Sequence, residues 1–140
     1  MRSRILNIAF LMALLLTACG RDHQCKVSIG ATGFHVEPNS AQYPGLNNVG
    51  GYQYLTGGHR GVVIVRTAYN DFVCYERTCP CNDSSQVSVS KTWGSSILEC
   101  PDCHSLFSVY NDGMPMDGSV TSCNLFQYST TFDGTKLYVY

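Results

Sequence analysis

Four cysteines in two tight pairs constrain this chain more than any other feature of its sequence. The first pair is Cys79-Pro80-Cys81 and the second is Cys100-Pro101-Asp102-Cys103. Thiols one or two residues apart can converge from two loops onto one centre, and thiolates at such spacing suit zinc or an iron–sulfur cluster. The same four residues could instead form two disulfides. The spacing therefore predicts a site where two loops meet. It does not decide whether that site is a zinc site, an iron–sulfur cluster or a pair of disulfides.

The N-terminus is typical of an exported chain. A basic start, Met1–Arg4, precedes an apolar run over Ile5–Leu16 that is short for a transmembrane span, so we interpret it as a signal peptide. Leu16-Thr17-Ala18-Cys19-Gly20 then resembles the lipobox of bacterial lipoproteins, in which the signal is removed before the cysteine and the cysteine is lipidated. We expect a signal peptide over 1–18, a lipidated tether over 19–24 and one domain over 25–140.

Lipidation of Cys19 has consequences for location and for metal chemistry. It implies a protein of the bacterial cell envelope, held to a membrane by its acyl chains, with an extracytoplasmic domain. Arg2 and Arg4 are separated by Ser3, so the signal lacks the twin-arginine motif of folded-protein export. A chain exported unfolded cannot carry out a cluster assembled in the cytoplasm, which argues against an iron–sulfur centre.

Charge and cysteine count narrow the remaining possibilities. The 140-residue chain has a net charge of −1 and no basic run, so it lacks the electrostatic footprint of a nucleic-acid binder. Outside the two pairs and Cys19, the eight cysteines include Cys25, Cys74 and Cys123. In an oxidising compartment two of these three can form a disulfide, and the sequence does not say which two. Cys74 lies in an apolar run, which is also typical of a buried core residue.

Short β-branched and alternating runs predict an all-β domain of antiparallel strands, a small sandwich or barrel. Residues 37–60 are rich in Gly, Pro, Asn and Tyr and are expected to form an irregular loop with one short strand. A turn over Ala68–Asp71 predicts a hairpin between the first two strands. The predicted strands are Gly61–Arg66, Phe72–Glu76, Gln86–Ser90, Ile97–Glu99, Leu106–Tyr110, Leu125–Ser129 and Leu137–Tyr140.

Residues from about 59 to 140 resemble the Rieske domain, an all-β fold that holds a [2Fe–2S] cluster between two loop hairpins. The family pattern is Cys-x-His in the first loop and Cys-x-x-His in the second, often within Cys-Pro-x-His-Gly-Ser-x-Phe. The second loop here reads Cys100-Pro101-Asp102-Cys103-His104-Ser105-Leu106-Phe107. The resemblance implies that Cys79 and Cys100 occupy the two cysteine positions of the cluster.

The departures from the family pattern are equally informative. Cys81 and Cys103 stand where the family has its histidines, so a centre with two histidines on one iron is excluded by residue type. His104 comes one residue after the ligand position, where the family often has glycine, and we expect His104 and Ser105 beside the ligands. Asp102 replaces one of the cysteines that brace many Rieske loops with a disulfide.

Three chemistries follow for the four thiols Cys79, Cys81, Cys100 and Cys103. The first is an all-cysteine [2Fe–2S] centre, whose extra thiolate charge lowers the potential toward the roughly −400 mV of plant-type ferredoxins. The second is a closed, structural zinc site. The third is two disulfides, either within each close pair or across the loops as Cys79–Cys100 and Cys81–Cys103. The cross-loop pairing is favoured because a Cys-x-Cys disulfide closes a strained small ring.

The function that these features predict is that of a membrane-anchored, Rieske-like lipoprotein with an electron-transfer or redox accessory role. Its exposed loop tips would meet an unidentified protein redox partner, and we do not expect it to be an enzyme by itself. The alternative is a non-redox binding or assembly lipoprotein whose cysteines form a structural zinc site or disulfides.

Overall fold

The computed structural model describes Cys25 and residues 27–140, and within them it confirms the predicted all-β class. A single 3-10 turn over Pro44–Leu46 is the sole helical element of the described residues, and none of their helices is long and apolar enough to cross a membrane. The strands are β1 (Phe34–Val36), β2 (Tyr52–Leu55), β3 (Val62–Ala68), β4 (Asp71–Glu76), β5 (Thr78–Cys79), β6 (Asn82–Gln86), β7 (Ser88–Ser90), β8 (Gly94–Glu99), β9 (Leu106–Ser108), β10 (Gln127–Tyr128), β11 (Thr130–Phe132) and β12 (Leu137–Val139).

The strands form four antiparallel sheets, with β3 and β4 as the central hairpin. One sheet has the order β10-β4-β3-β2, a second has β1-β12-β11, and the loop-bearing sheets are β5-β6 and β7-β8-β9. The predicted hairpin is confirmed, with Ala68 opposite Asp71 at its turn. The predicted short strand between residues 37 and 60 is β2, which pairs with β3.

Strand β3 is buried on both faces and separates two cores. Side chains alternate across a strand, so Val62 and Ile64 point to one side and Val63 and Val65 to the other. The first pair packs in a core under the sheet of β1, β12 and β11. The second pair packs in a core that also contains Cys79 and Cys100. The central hairpin therefore forms a fixed support directly beneath the two cysteine loops.

The predicted strand Gln86–Ser90 is interrupted at Val87 and belongs to two strands. The chain leaves β6 at Gln86 and enters β7 at Ser88, and these two strands belong to different sheets. Val87 lies between them, fully buried, and its N–H donates to the Arg77 carbonyl at 2.7 Å. The sequence of Gln86–Ser90 does alternate between polar and apolar residues. The backbone, however, pairs with β5 before Val87 and with β8 after it.

The pairing among the remaining cysteines is resolved. Cys25 and Cys123 form a disulfide with a Cα–Cα distance of 5.6 Å and a sequence separation of 98. Cys74 is unbridged and fully buried in the core of β4, as expected of an apolar residue. The disulfide fastens the beginning of the described chain to the segment just before β10.

Replacing Cys25 and Cys123 together by serine is expected to lower the free energy of unfolding by about 2–5 kcal/mol, because the bridge closes a long loop in the unfolded chain. Chemical denaturation of the oxidised proteins measures the difference. The Cys74→Ala variant is the control, since it keeps the bridge and should still lose stability when a reductant is added. Equal stability of the double variant and the oxidised wild type would contradict this account of the disulfide.

Candidate metal centre

The first cysteine loop is the tip of the β5–β6 hairpin. Cys79 pairs with Asn82, which leaves Pro80 and Cys81 as the two residues of the turn. Cys79 is fully buried, whereas Cys81 is exposed. A two-residue turn thus places one thiol inside the domain and the other at its surface.

The second cysteine loop connects β8 and β9 and is closed by its own backbone. The Cys100 N–H donates to the Ser105 carbonyl at 3.0 Å, and the His104 N–H donates to the Cys100 carbonyl at 2.9 Å. His104 has a φ of 57°, the left-handed conformation that glycine adopts without steric cost, and its side chain is exposed. Cys100 is fully buried and Cys103 is half-buried.

The two loops bring the thiols together. The sulfurs of Cys79, Cys81 and Cys103 lie within 4.8 Å of one another, and Cys79 Sγ is 3.6 Å from Cys103 Sγ. Cys100 lies outside this group of three, but its thiol interacts with the thiols of Cys79 and Cys103. All four are unbridged, so neither cross-loop disulfide is formed in this structure.

The four thiols divide into an inner and an outer pair. Cys79 and Cys100, one from each loop, are buried in the core, and Cys81 and Cys103 lie toward the surface. This division follows the arrangement expected for two irons, each held by one residue from each loop. It also leaves the outer pair accessible to another molecule.

Hydroxyl groups from two segments lie beside the outer pair. Ser105, in the second loop, is fully buried, and its Oγ lies 3.2 Å from Cys103 Sγ and 3.8 Å from Cys81 Sγ. The other segment lies just before Cys123. The Val120 N–H donates to Ser105 Oγ at 3.0 Å, and the Thr121 hydroxyl contacts the Cys81 thiol. The sequence carried no signal for Thr121, because it reaches the site only through the fold.

A side-chain hydrogen bond joins the two loops behind the thiols. The Ser85 hydroxyl, on β6 of the first hairpin, donates to the Asp102 carboxylate in the second loop. Ser85 is buried, whereas Asp102 is exposed, so the contact lies at the edge of the domain surface. Asp102 therefore links the two loops at a position where the resemblance places a bracing cysteine.

The thiols differ in how readily they ionise. Burial raises the pKa of Cys79, and the neighbouring Cys100 thiol raises it further. Burial and the Cys103 thiol likewise raise the pKa of Cys81. For Cys103 burial acts in the same direction, but hydrogen bonds from Ser105 and the neighbouring thiols outweigh it and lower the pKa to about 7. Metal ligation requires thiolates, so binding at this site would release protons, among them those of Cys79 and Cys81, whose pKa values are raised.

The donor set fits a thiolate-bound metal. A single tetrahedral zinc, with Zn–S bonds of about 2.3 Å, needs all four sulfurs about 3.8 Å apart. A two-iron cluster needs them as two pairs. By burial the four residues divide into two pairs with one residue from each loop, as the second requires. The 3.6 Å contact between Cys79 Sγ and Cys103 Sγ, which joins the inner pair to the outer one, is close to the spacing that the first requires.

Comparison with known proteins supports the fold assignment. No family model matches the sequence, and no curated protein matches it significantly. Among solved structures, the chain is similar to the ferredoxin of carbazole 1,9a-dioxygenase from Nocardioides aromaticivorans IC177, with 17% identity and a TM-score of 0.50. The match covers 78% of this chain and 97% of that one. The described domain therefore has the fold of a Rieske-type ferredoxin.

Proposed function

We propose that this chain is an electron-transfer or redox accessory protein that holds a [2Fe–2S] cluster on Cys79, Cys81, Cys100 and Cys103. The observation that carries the proposal is the convergence of three unbridged thiols, with that of Cys100 beside two of them, on the paired loops of a Rieske-like fold. When bound, such a cluster supplies one-electron chemistry at a potential near the roughly −400 mV of all-cysteine ferredoxins.

The protein's own residues have separate tasks in this proposal. Cys79 and Cys100 hold the buried side of the group within the core, where water is excluded. Cys81 and Cys103 hold its outer side, at the surface through which an electron would pass to a partner. The Ser105 hydroxyl lies close enough to donate a hydrogen bond to an outer thiolate, which would stabilise its charge.

The proposed setting is the extracytoplasmic side of a bacterial membrane. The signal peptide, Cys19 and the tether lie outside the described residues, so the lipid anchor remains a prediction of the sequence. The proposed partner is a redox protein that contacts the two loop tips. In this role the chain relays electrons and has no substrate chemistry of its own.

Serine substitution tests the ligand set. Cys79→Ser and Cys100→Ser are each expected to lose most of the bound iron and sulfide, because a serine oxygen is a poor replacement for a thiolate at such a centre. Metal and sulfide analysis of the purified proteins measures the loss. Cys74→Ala is the matched control, since that thiol is buried outside the site. Unchanged iron content in both serine variants would remove these residues from the ligand set.

The compactness of the thiol cluster favours one alternative, a structural zinc site. The 3.6 Å distance between Cys79 Sγ and Cys103 Sγ is close to the edge of a zinc–thiolate tetrahedron. Such a site would lock the two loops together without redox activity. One zinc per chain, lost in the same serine variants, would identify it.

A further inference from the structure

A cleft with no cysteine in its wall lies beside the first loop hairpin. Its volume is about 570 Å³, within the size range of small-ligand sites. One wall is formed by the end of β2 and the following glycine-rich loop, and the other by the segment after β4 and the end of β6. The lining residues are Tyr54, Leu55, Thr56, His59, Arg60, Gly61, Arg77 and Gln86.

The glycine-rich loop is fixed in place by a buried carboxylate. The N–H groups of His59 and Arg60 donate to Glu76 at 2.7 and 3.0 Å. Gly58 has a φ of 61°, and a Cβ at this position would collide with Glu76 Oε2. The loop therefore has one defined conformation, and the backbone from which the Arg60 side chain extends is held before any ligand arrives.

The second arginine, Arg77, is held equally firmly. Its guanidinium carbon lies 3.9 Å from the centre of the Tyr54 ring, and its Nε donates to the Val87 carbonyl at 2.8 Å. The Tyr54 hydroxyl accepts the Val89 N–H at 2.7 Å, which fixes the ring. The Arg77 N–H donates to the Gly61 carbonyl at 3.0 Å, so the two arginines are attached to adjoining stretches of backbone.

The cleft carries cationic groups whose charge the protein does not fully neutralise. The side-chain hydrogen bonds of Arg60 and Arg77 use Nε, and no carboxylate among the described residues forms an ion pair with either guanidinium. Glu76 is nearby, but its two oxygens already accept five hydrogen bonds. Guanidinium groups stay charged and present paired N–H donors that match the oxygens of a carboxylate or a phosphate.

We propose that this cleft binds a small anion through a carboxylate or phosphate group, with Arg60 and Arg77 as its principal contacts. The half-buried position of both side chains, in a recess rather than on a protruding surface, favours a small molecule over a macromolecular partner. The site contains none of the four cysteines and does not rest on the redox proposal.

Isothermal titration calorimetry of the intact protein with inorganic phosphate, and separately with succinate, tests the proposal. We expect one saturable site with a dissociation constant of about 1 mM or tighter for at least one anion, in salt of about 0.15 M. The anion that binds more tightly identifies the phosphate or the carboxylate class. No saturable binding of either anion would overturn the proposal.

Two variants locate the site. Arg60→Gln is expected to weaken binding about tenfold. Gln86→Glu, at an exposed residue of the cleft wall, adds a negative charge and removes the amide that donates to the Arg60 carbonyl, so it should abolish binding. Lys91→Gln is the control, because it removes one exposed positive charge outside the cleft. An equal loss of affinity in the Lys91 variant would assign the binding to general electrostatic attraction and refute the site.

Discussion

If the chain holds the proposed [2Fe–2S] cluster, replacing Cys81 and Cys103 together by histidine is expected to raise its midpoint potential by about 250 mV or more. The change would restore the two imidazole positions of the Rieske pattern and remove two thiolate charges from the ligand set. All-cysteine ferredoxins of the plant type have potentials near −400 mV, and Rieske centres lie at roughly −150 to +300 mV. Potentiometric titration of the double variant and the wild type, followed by visible absorbance, measures the difference.

A control variant in the same hairpin distinguishes the effect of a histidine that binds the metal from that of a histidine that is only nearby. Ser84→His adds an imidazole at an exposed position of β6 and is expected to leave the potential close to that of the wild type. The Cys81/Cys103 double variant should also acquire a pH-dependent potential, with a slope approaching about 59 mV per pH unit where one proton accompanies the electron. A wild-type potential already in the Rieske range would contradict thiolate ligation by the outer pair.

Replacing Glu76 by glutamine is expected to lower the free energy of unfolding by about 3 kcal/mol. The carboxylate is fully buried and accepts hydrogen bonds from the N–H groups of His59, Arg60 and Thr78 and from the hydroxyls of Thr78 and Tyr128. A glutamine presents an amino group to some of these donors in either orientation, which leaves at least one buried N–H without an acceptor. Urea denaturation at neutral pH measures the loss.

The same carboxylate makes stability depend on pH. Burial raises the pKa of Glu76, but the hydrogen bonds from His59, Arg60, Tyr128 and Thr78 outweigh it and lower the pKa overall. The unfolded chain, with a glutamate pKa of about 4.3, therefore takes up the proton first as the pH falls. The stabilisation is complete above that value and is lost as the pH falls through the folded pKa.

As the pH falls below about 5, through the unfolded glutamate pKa of about 4.3, the wild type should accordingly lose more stability than the Glu76→Gln variant. Glu37→Gln, which removes an exposed carboxylate, is the matched control. If the wild type and the Glu76 variant lose stability in parallel over this range, the folded and unfolded pKa values of Glu76 are the same and the account of the carboxylate is wrong.

The parts of the fold that the sequence predicted are those with strong local signals. The β-branched run that became β3 and the turn after it determine the central hairpin without help from distant residues. Strand β1 was missed because Phe34–Val36 is too short to show alternation, and it exists through pairing with β12 about a hundred residues later. The break at Val87 was missed because a change of sheet leaves the side-chain pattern intact.

The cysteines of the site could be predicted from the sequence, but the residues around them could not. The spacing of the cysteines indicated two converging loops, because close pairs restrict the geometry locally. The contacts of Thr121 with Cys81 and of Ser85 with Asp102 depend on how separate segments pack, and no local pattern records them. The pairing of Cys25 with Cys123 likewise depends on how segments far apart in the sequence pack together.

The visible absorption spectrum of the intact purified protein, with iron, sulfide and zinc determined on the same sample, decides what the four cysteines hold. The account predicts a red-brown protein with broad absorbance between roughly 400 and 550 nm and two irons with two sulfides per chain. A colourless protein would contradict it. One zinc per chain would then identify a structural site, and an absence of metal with the four thiols oxidised would identify a disulfide staple.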